Sequence, residues 1–131
     1  MKIGLLGGTF DPIHFGHLDI AKYSLEYLEL DQILFIPAGL PYLKDNQKLS
    51  SPFHRLKMVK LAIEQYPQFE VSDIEIFREG PTYTIDTINQ LQSPDHELVL
   101  IFGSDVIAQM NKWKNLDLLF DSISIVFINR E

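Results

Sequence analysis

The sequence predicts an α/β fold, a Rossmann-like parallel sheet with helices on both faces, and three features lead to that reading. Short apolar runs rich in β-branched residues alternate with stretches of helical periodicity along the chain. The first run ends in Gly7-Gly8 and passes directly into a helical pattern, the strand, glycine turn and helix of a crossover unit. Polar turn signals punctuate the runs throughout, with no internal repeat, low-complexity tract or Gly/Ser linker to divide them.

Taken in order, Lys2 to Leu6 reads as a buried strand, and Leu18, Ala21, Leu25 and Leu28 form one face of the helix that follows. Gln32 to Ile36 is a second strand, bounded by Pro37 and Gly39, and it needs a parallel partner because a helix precedes it. A polar loop runs from Ala38 to Ser50. Ser51-Pro52 then supplies an N-cap and a proline at the first helical position, opening a helix to about Gln65 with Leu56, Val59, Ala62 and Ile63 on its face. Val71 to Phe77 alternates as a strand near the surface, and Ile85, Ile88 and Leu91 place a helix over 84–91. Glu97 to Phe102 is a strongly apolar strand ending in Gly103-Ser104-Asp105, a further helix is expected after it, and Ser122 to Ile128 is one more β-branched run.

Bulk composition narrows the function classes. The chain has 131 residues, 46% hydrophobic and 22% charged, which suits a single domain over 1–131 with a continuous core. The N-terminus lacks a signal-peptide pattern and no run approaches the roughly eighteen apolar residues of a membrane span, so a cytoplasmic protein with no membrane partner is expected. Cysteine is absent, which excludes thiolate nucleophiles and sulfur-ligated zinc; any metal must be held by oxygen or imidazole. A net charge of −7 argues against a nucleic-acid partner, because phosphate-backbone affinity rests on clustered Lys and Arg. Small phosphorylated substrates remain compatible, since a few local donors at a helix N-terminus hold a phosphate whatever the global charge.

The most informative stretch is Gly7-Gly8-Thr9-Phe10-Asp11-Pro12-Ile13-His14-Phe15-Gly16-His17, which joins the first strand to the first helix. It is neither the G-x-G-x-x-G fingerprint nor a G-x-x-x-x-G-K-[ST] phosphate loop. The glycine pair lets the Thr9 and Phe10 amides approach an anion, and His14 and His17, three residues apart, place two imidazoles on one face of the first helical turn. A glycine turn alone is ordinarily only a turn, and a lone histidine a surface or core residue; the combination, in the context of strand end and helix start, is a phosphate cradle. Asp11 is expected to orient the turn before Pro12.

These residues resemble a known family. His14-Phe15-Gly16-His17 matches the (H/T)-x-G-H signature of the nucleotidylyltransferase superfamily, and Gly7 to Leu18 resembles the opening of bacterial nicotinate-mononucleotide adenylyltransferases. His54-Arg55-Leu56-Lys57-Met58 resembles their second helix, Gly80 to Thr87 their G-P-S-Y-T-x-D-T segment, and Phe102-Gly103-Ser104-Asp105 with Trp113 their G-[AS]-D and tryptophan region. The resemblance spans essentially the whole chain. It implies that Gly8, Thr9 and Phe10 contact nucleotide phosphates, that His14 and His17 stabilise charge at the reacting phosphorus, and that Gly103 and Asp105 hold a ribose. It implies further that Thr84 binds the nicotinate carboxylate, Trp113 stacks on the pyridine ring and Lys44 reaches the mononucleotide phosphate. Two departures stand out: Pro41-Tyr42-Leu43-Lys44 replaces the family's Pro-Pro-His-Lys, and its later I-S-[ST]-x-x-R segment has no counterpart before Glu131, so a C-terminal portion is expected to be missing.

The implied reaction is adenylyl transfer from ATP to nicotinate mononucleotide, giving nicotinate adenine dinucleotide and pyrophosphate, with Mg²⁺ accompanying the ATP phosphates and a protonated imidazole facing the transferring phosphate. The alternatives are another phosphorylated acceptor, such as nicotinamide mononucleotide or phosphopantetheine, and a nucleotide-binding fragment without activity. The sequence does not indicate an oligomeric state.

Overall fold

The structure is a computed structural model and describes residues 1–39, 50–78, 84–103, 110 and 116–129. Five strands, β1 (Lys2–Gly8), β2 (Gln32–Pro37), β3 (Phe69–Val71), β4 (Glu97–Gly103) and β5 (Ser124–Ile128), form one sheet in the order β3-β2-β1-β4-β5. Every neighbouring pair is parallel. The α/β parallel sheet expected from the alternating pattern is therefore the fold. Successive crossovers run outward from β1 to β2 and β3, then the chain returns to the other side of β1 for β4 and β5. That reversal puts the topological switch point at the C-terminal ends of β1 and β4, where open parallel sheets bind ligands.

Among the described residues, four helices cover the two faces: α1 (Phe15–Tyr27), α2 (Pro52–Ile63), α3 (Thr84–Leu91) and α4 (Leu116–Ser122). Strand side chains alternate between two cores. Leu6, Val99 and Ile101 pack with Leu18 and Ala21 of α1 and with Val59 and Ile63 of α2. Leu5, Leu98, Leu100 and Phe102 pack with Ile85 and Ile88 of α3 and with Leu119 of α4. Burial on both faces explains why β4 is apolar at every position from Leu98 to Phe102.

The helix boundaries follow from local chemistry. At α2, Ser51 caps by accepting from the Phe53 amide at 3.2 Å, and Pro52 occupies the first turn, where its missing N–H costs nothing. At α1, His14 is the N-cap residue rather than part of the first turn. The other end of α1 closes with paired bonds from the Leu30 amide to the Leu25 carbonyl (3.0 Å) and from Glu29 to Glu26 (3.3 Å). This left-handed closure puts Glu29 at φ 53°, in a position that glycine ordinarily fills.

The third strand is shorter and earlier than its alternation suggests. β3 pairs with Ile33, Leu34 and Phe35 only, and the Ser72 amide makes the last rung to the Phe35 carbonyl at 2.8 Å. Extending it to Phe77 would need a partner strand beyond β2, which ends at Pro37. The chain instead turns through 74–77, started by the Ser72 hydroxyl accepting from the Ile74 amide at 3.2 Å.

Glu29→Gly relieves the left-handed strain at the end of α1. It is expected to raise unfolding free energy by up to about 1 kcal/mol, read from the urea midpoint with an unchanged slope.

Candidate active site

β1 ends at Gly8, and beyond it Thr9 to Ile13 carry the chain up to α1. Phe10 sits at φ 51°, a left-handed conformation that a bulky residue adopts only when its surroundings hold it there. Its ring is 2% exposed, lies 5.9 Å from the Phe35 ring, and presents edge-to-face geometry to His17 at 4.9 Å. Gly8 underlies the same ring: a Cβ there would approach two ring carbons at 3.2 Å. Phe10 therefore anchors the loop in the core, and what it can offer a ligand is its backbone. Among the described residues, neither the Thr9 nor the Phe10 amide donates to a protein acceptor.

The two histidines are built into the helix start. The Nδ1 of His14 accepts from the Gly16 amide and the Nδ1 of His17 accepts from the His14 amide, each at 3.1 Å, forming a reciprocal capping box. The rings stack with centroids 3.9 Å apart and planes inclined by 27°. Because Nδ1 of each ring is an acceptor, the proton of the neutral ring resides on Nε2, so both imidazoles present an Nε2–H donor. Fixing Nδ1 also fixes the ring orientation, so the pair is preorganised.

Three further segments meet this loop through one buried cation. Arg55, on the inner face of α2 and 1% exposed, donates from Nη1 to the carbonyls of Thr9 (2.9 Å) and Ala38 (2.5 Å), from Nη2 to Gly39 (3.0 Å) and from Nε to Ser50 (3.1 Å). Burial draws the guanidinium's proton affinity down and the Asp11 carboxylate opposes that shift. Asp11 does not serve its own turn, as its place before Pro12 suggested; its carboxylate accepts from the Ser50 amide, 2.8 Å away and remote in sequence. That amide, then the Ser50 side chain, and then Arg55 hold the Asp11 carboxyl below its ordinary value of 3.8. Gly39 in turn lies flat against the turn at Glu75–Ile76, where an added Cβ would overlap the Glu75 carbonyl oxygen. The Glu75 carboxylate accepts from the Thr87 hydroxyl of α3 at 2.7 Å, and burial pushes its pKa up.

The expected site residues divide three ways. Gly8, Thr9, Phe10, His14 and His17 come together at the end of β1. Gly103 ends β4, two residues past the Leu6↔Ile101 pair, and so lies along the same edge of the sheet. Thr84 opens α3, which packs on the face opposite α1. Lys44, Asp105 and Trp113 lie outside the described residues. The residue that sequence reasoning passed over is Arg55, matched only as part of a helix pattern. Its signal was a cation four residues before Val59 and eight before Ile63, on the face that α2 buries.

A family model described as cytidylyltransferase-like matches residues 5–131. The nicotinate-nucleotide adenylyltransferase of Bacillus subtilis (strain 168) is 43% identical over 131 residues, covering 98% of this chain and 69% of the relative. A Bacillus licheniformis protein named "Probable nicotinate-nucleotide adenylyltransferase" is 45% identical with the same coverage. Across eight curated relatives the chain spans from 60% to 69% of their length. Among solved structures, a Plasmodium falciparum nicotinic acid mononucleotide adenylyltransferase complexed with NaAD superposes with a TM-score of 0.73 at 17% identity, covering 98% of this chain and 75% of that one, a likeness of fold.

Gly39→Ala forces the backbone of the 74–78 turn aside and is expected to cost about 1 to 3 kcal/mol in chemical denaturation. Asp11→Asn tests the link to Ser50. A carboxyl with a depressed folded-state pKa adds stability above its unfolded value, and that contribution disappears as pH falls through the folded value. Urea titrations from neutral pH downward should therefore show the gap between wild type and Asp11→Asn closing below pH 3.8.

Proposed function

Since the chain belongs to the cytidylyltransferase-like family and aligns along almost its whole length with nicotinate-nucleotide adenylyltransferases, we propose that it transfers the adenylyl group of ATP to nicotinate mononucleotide, a step of NAD biosynthesis. The observation that carries this reading is the pair of stacked imidazoles whose Nδ1 atoms are occupied by backbone amides at the mouth of the central strand.

A phosphate oxygen of the mononucleotide attacks the α-phosphorus of ATP in line, the bond to the β-phosphate bridging oxygen breaks, and pyrophosphate leaves with that electron pair. The nucleophile is already anionic near neutral pH, so no protein base is needed; rate enhancement comes from positioning and from donors aimed at charge on the transferring group. In this reading the Thr9 and Phe10 amides bind phosphate, and the Nε2–H groups of His14 and His17 face the α-phosphate and the leaving oxygen. Gly8 gives the loop its close approach. Gly103 and Asp105 hold a ribose, Thr84 and Trp113 recognise the nicotinate, and Lys44 meets the mononucleotide phosphate.

A divalent ion, Mg²⁺ in this proposal, neutralises charge on the triphosphate. In this proposal the ion would be held mainly by the nucleotide's own oxygens and by water. No helix of the described residues is long and apolar enough to cross a membrane; the proposed location is the cytoplasm, and residues 1–131 are taken as one domain.

Pyrophosphate release, measured with ATP and each acceptor in turn, tests the assignment. Turnover is expected with nicotinate mononucleotide; release with phosphopantetheine or nicotinamide mononucleotide but not with nicotinate mononucleotide would overturn it. The histidine role is tested by substitutions that separate its two nitrogens. His17→Asn keeps an acceptor near Nδ1 and the cap, but loses the Nε2 donor; its kcat should fall roughly a hundredfold or more with little change in melting temperature. His17→Gln places its amide near Nε2 and should retain more of the rate while losing helix stability.

A further inference from the structure

We infer that Arg55 is a positioning residue of the phosphate cradle, holding the loops after β1 and β2 and the entry to α2 in one geometry while placing a buried positive charge beneath the anion site. The inference rests on the proposed function for its ligand, but its geometry is independent of which nucleotide binds.

The parallel ladder between β1 and β2 continues one rung beyond the strands, with the Ala38 amide donating to the Gly8 carbonyl at 2.9 Å. There it stops, and the next carbonyls on both sides, Thr9 and Ala38, would be left facing a buried interior. A single nitrogen, Nη1, takes both. The remaining donors of the fork reach Gly39 and Ser50, so one planar group ties together segments separated by up to 46 residues in sequence. The Thr9 carbonyl and the Phe10 amide share one planar peptide unit, so fixing the carbonyl fixes the direction of that amide.

Charge points the same way. No carboxylate among the described residues lies within ion-pair distance of this guanidinium, whereas Lys2 and Glu97, 3.7 Å apart, make the described pair far from the site. Hydrogen-bonded to four carbonyls and countered by Asp11 only from beyond ion-pair distance, the guanidinium leaves part of its field to act on an anion bound over the Thr9–Phe10 loop. Lysine cannot substitute for it, because a point ammonium lacks the fork that spans four carbonyls.

Arg55→Ala and Arg55→Lys separate positioning from folding. Each variant is examined by thermal melting, by ATP calorimetry with and without guanidinium ion well below denaturing concentration, and by ¹⁵N spectra of the His14 and His17 rings. Expected for the folded Arg55→Ala protein are ATP affinity weakened about tenfold or more, ring signals displaced from the Nε2–H tautomer, and recovery of both by guanidinium. Arg55→Lys should keep its melting temperature closer to wild type yet bind ATP weakly. Wild-type affinity and ring signals in a folded Arg55→Ala would overturn the inference, as would a loss that guanidinium does not restore. Should Arg55→Ala fail to fold, Arg55→Lys decides, and wild-type behaviour there overturns it. If the wild-type chain binds no ATP, the proposed function fails, and the ring signals alone still judge Arg55.

Discussion

Parallel pairing on both sides of β1 is the constraint from which the rest of the molecule hangs. A strand flanked by β2 and β4 and covered on both faces cannot end gradually, because a backbone group shielded from water beyond its last rung needs a partner. At Gly8 the ladder gives out on one side at Ala38, and the chain must leave the sheet within a few residues to start α1. Everything that follows, from the strained Phe10 to the histidine cap, answers the question of where those backbone groups go.

The answers are of two kinds. Donors at the start of α1 are met by the imidazole nitrogens of His14 and His17, so the same bonds that cap the helix lock the rings in one tautomer. Acceptors at the ends of β1 and β2 are met by Arg55, arriving from a helix that packs against the same core as α1. Satisfying the backbone and fixing the two imidazoles and the loop are here one set of interactions. That economy explains why a loop with a bulky residue at φ 51° holds its shape: the Phe10 ring is packed between Phe35 and His17 over a glycine that leaves it room.

The contacts continue from the sheet edge towards the opposite face. Gly39 rests on the 74–77 turn, and Glu75 in that turn meets Thr87 of α3, which also accepts from Arg78 at 2.8 Å. The loop after β2 and helix α3 therefore share a continuous run of backbone and hydrogen-bonded contacts. Arg78 also reaches Gln90, so the turn grips α3 at two successive helical positions on one face.

Much of this was legible in the amino-acid order. Hydrophobic periodicity placed β1, β2, β4 and all of α3, because burial on one or two faces imposes a period that few other arrangements produce; Ser51-Pro52 marked the start of α2 for reasons of local hydrogen bonding alone. The glycine pair and the His14–His17 spacing pointed to the candidate site for the same local reasons. What only the folded chain decided were the long-range partners. The alternation at 71–77 read as a strand, whereas the folded chain pairs only 69–71 with β2 and turns away at 74–77. Asp11 looked like a turn residue until Ser50 came within 2.8 Å of it. Arg55 looked like one letter of a helix, because nothing in one dimension reveals that four carbonyls from two loops will converge on a single guanidinium. Periodicity and capping are properties of neighbours in sequence; the satisfaction of a buried polar group is a property of neighbours in space.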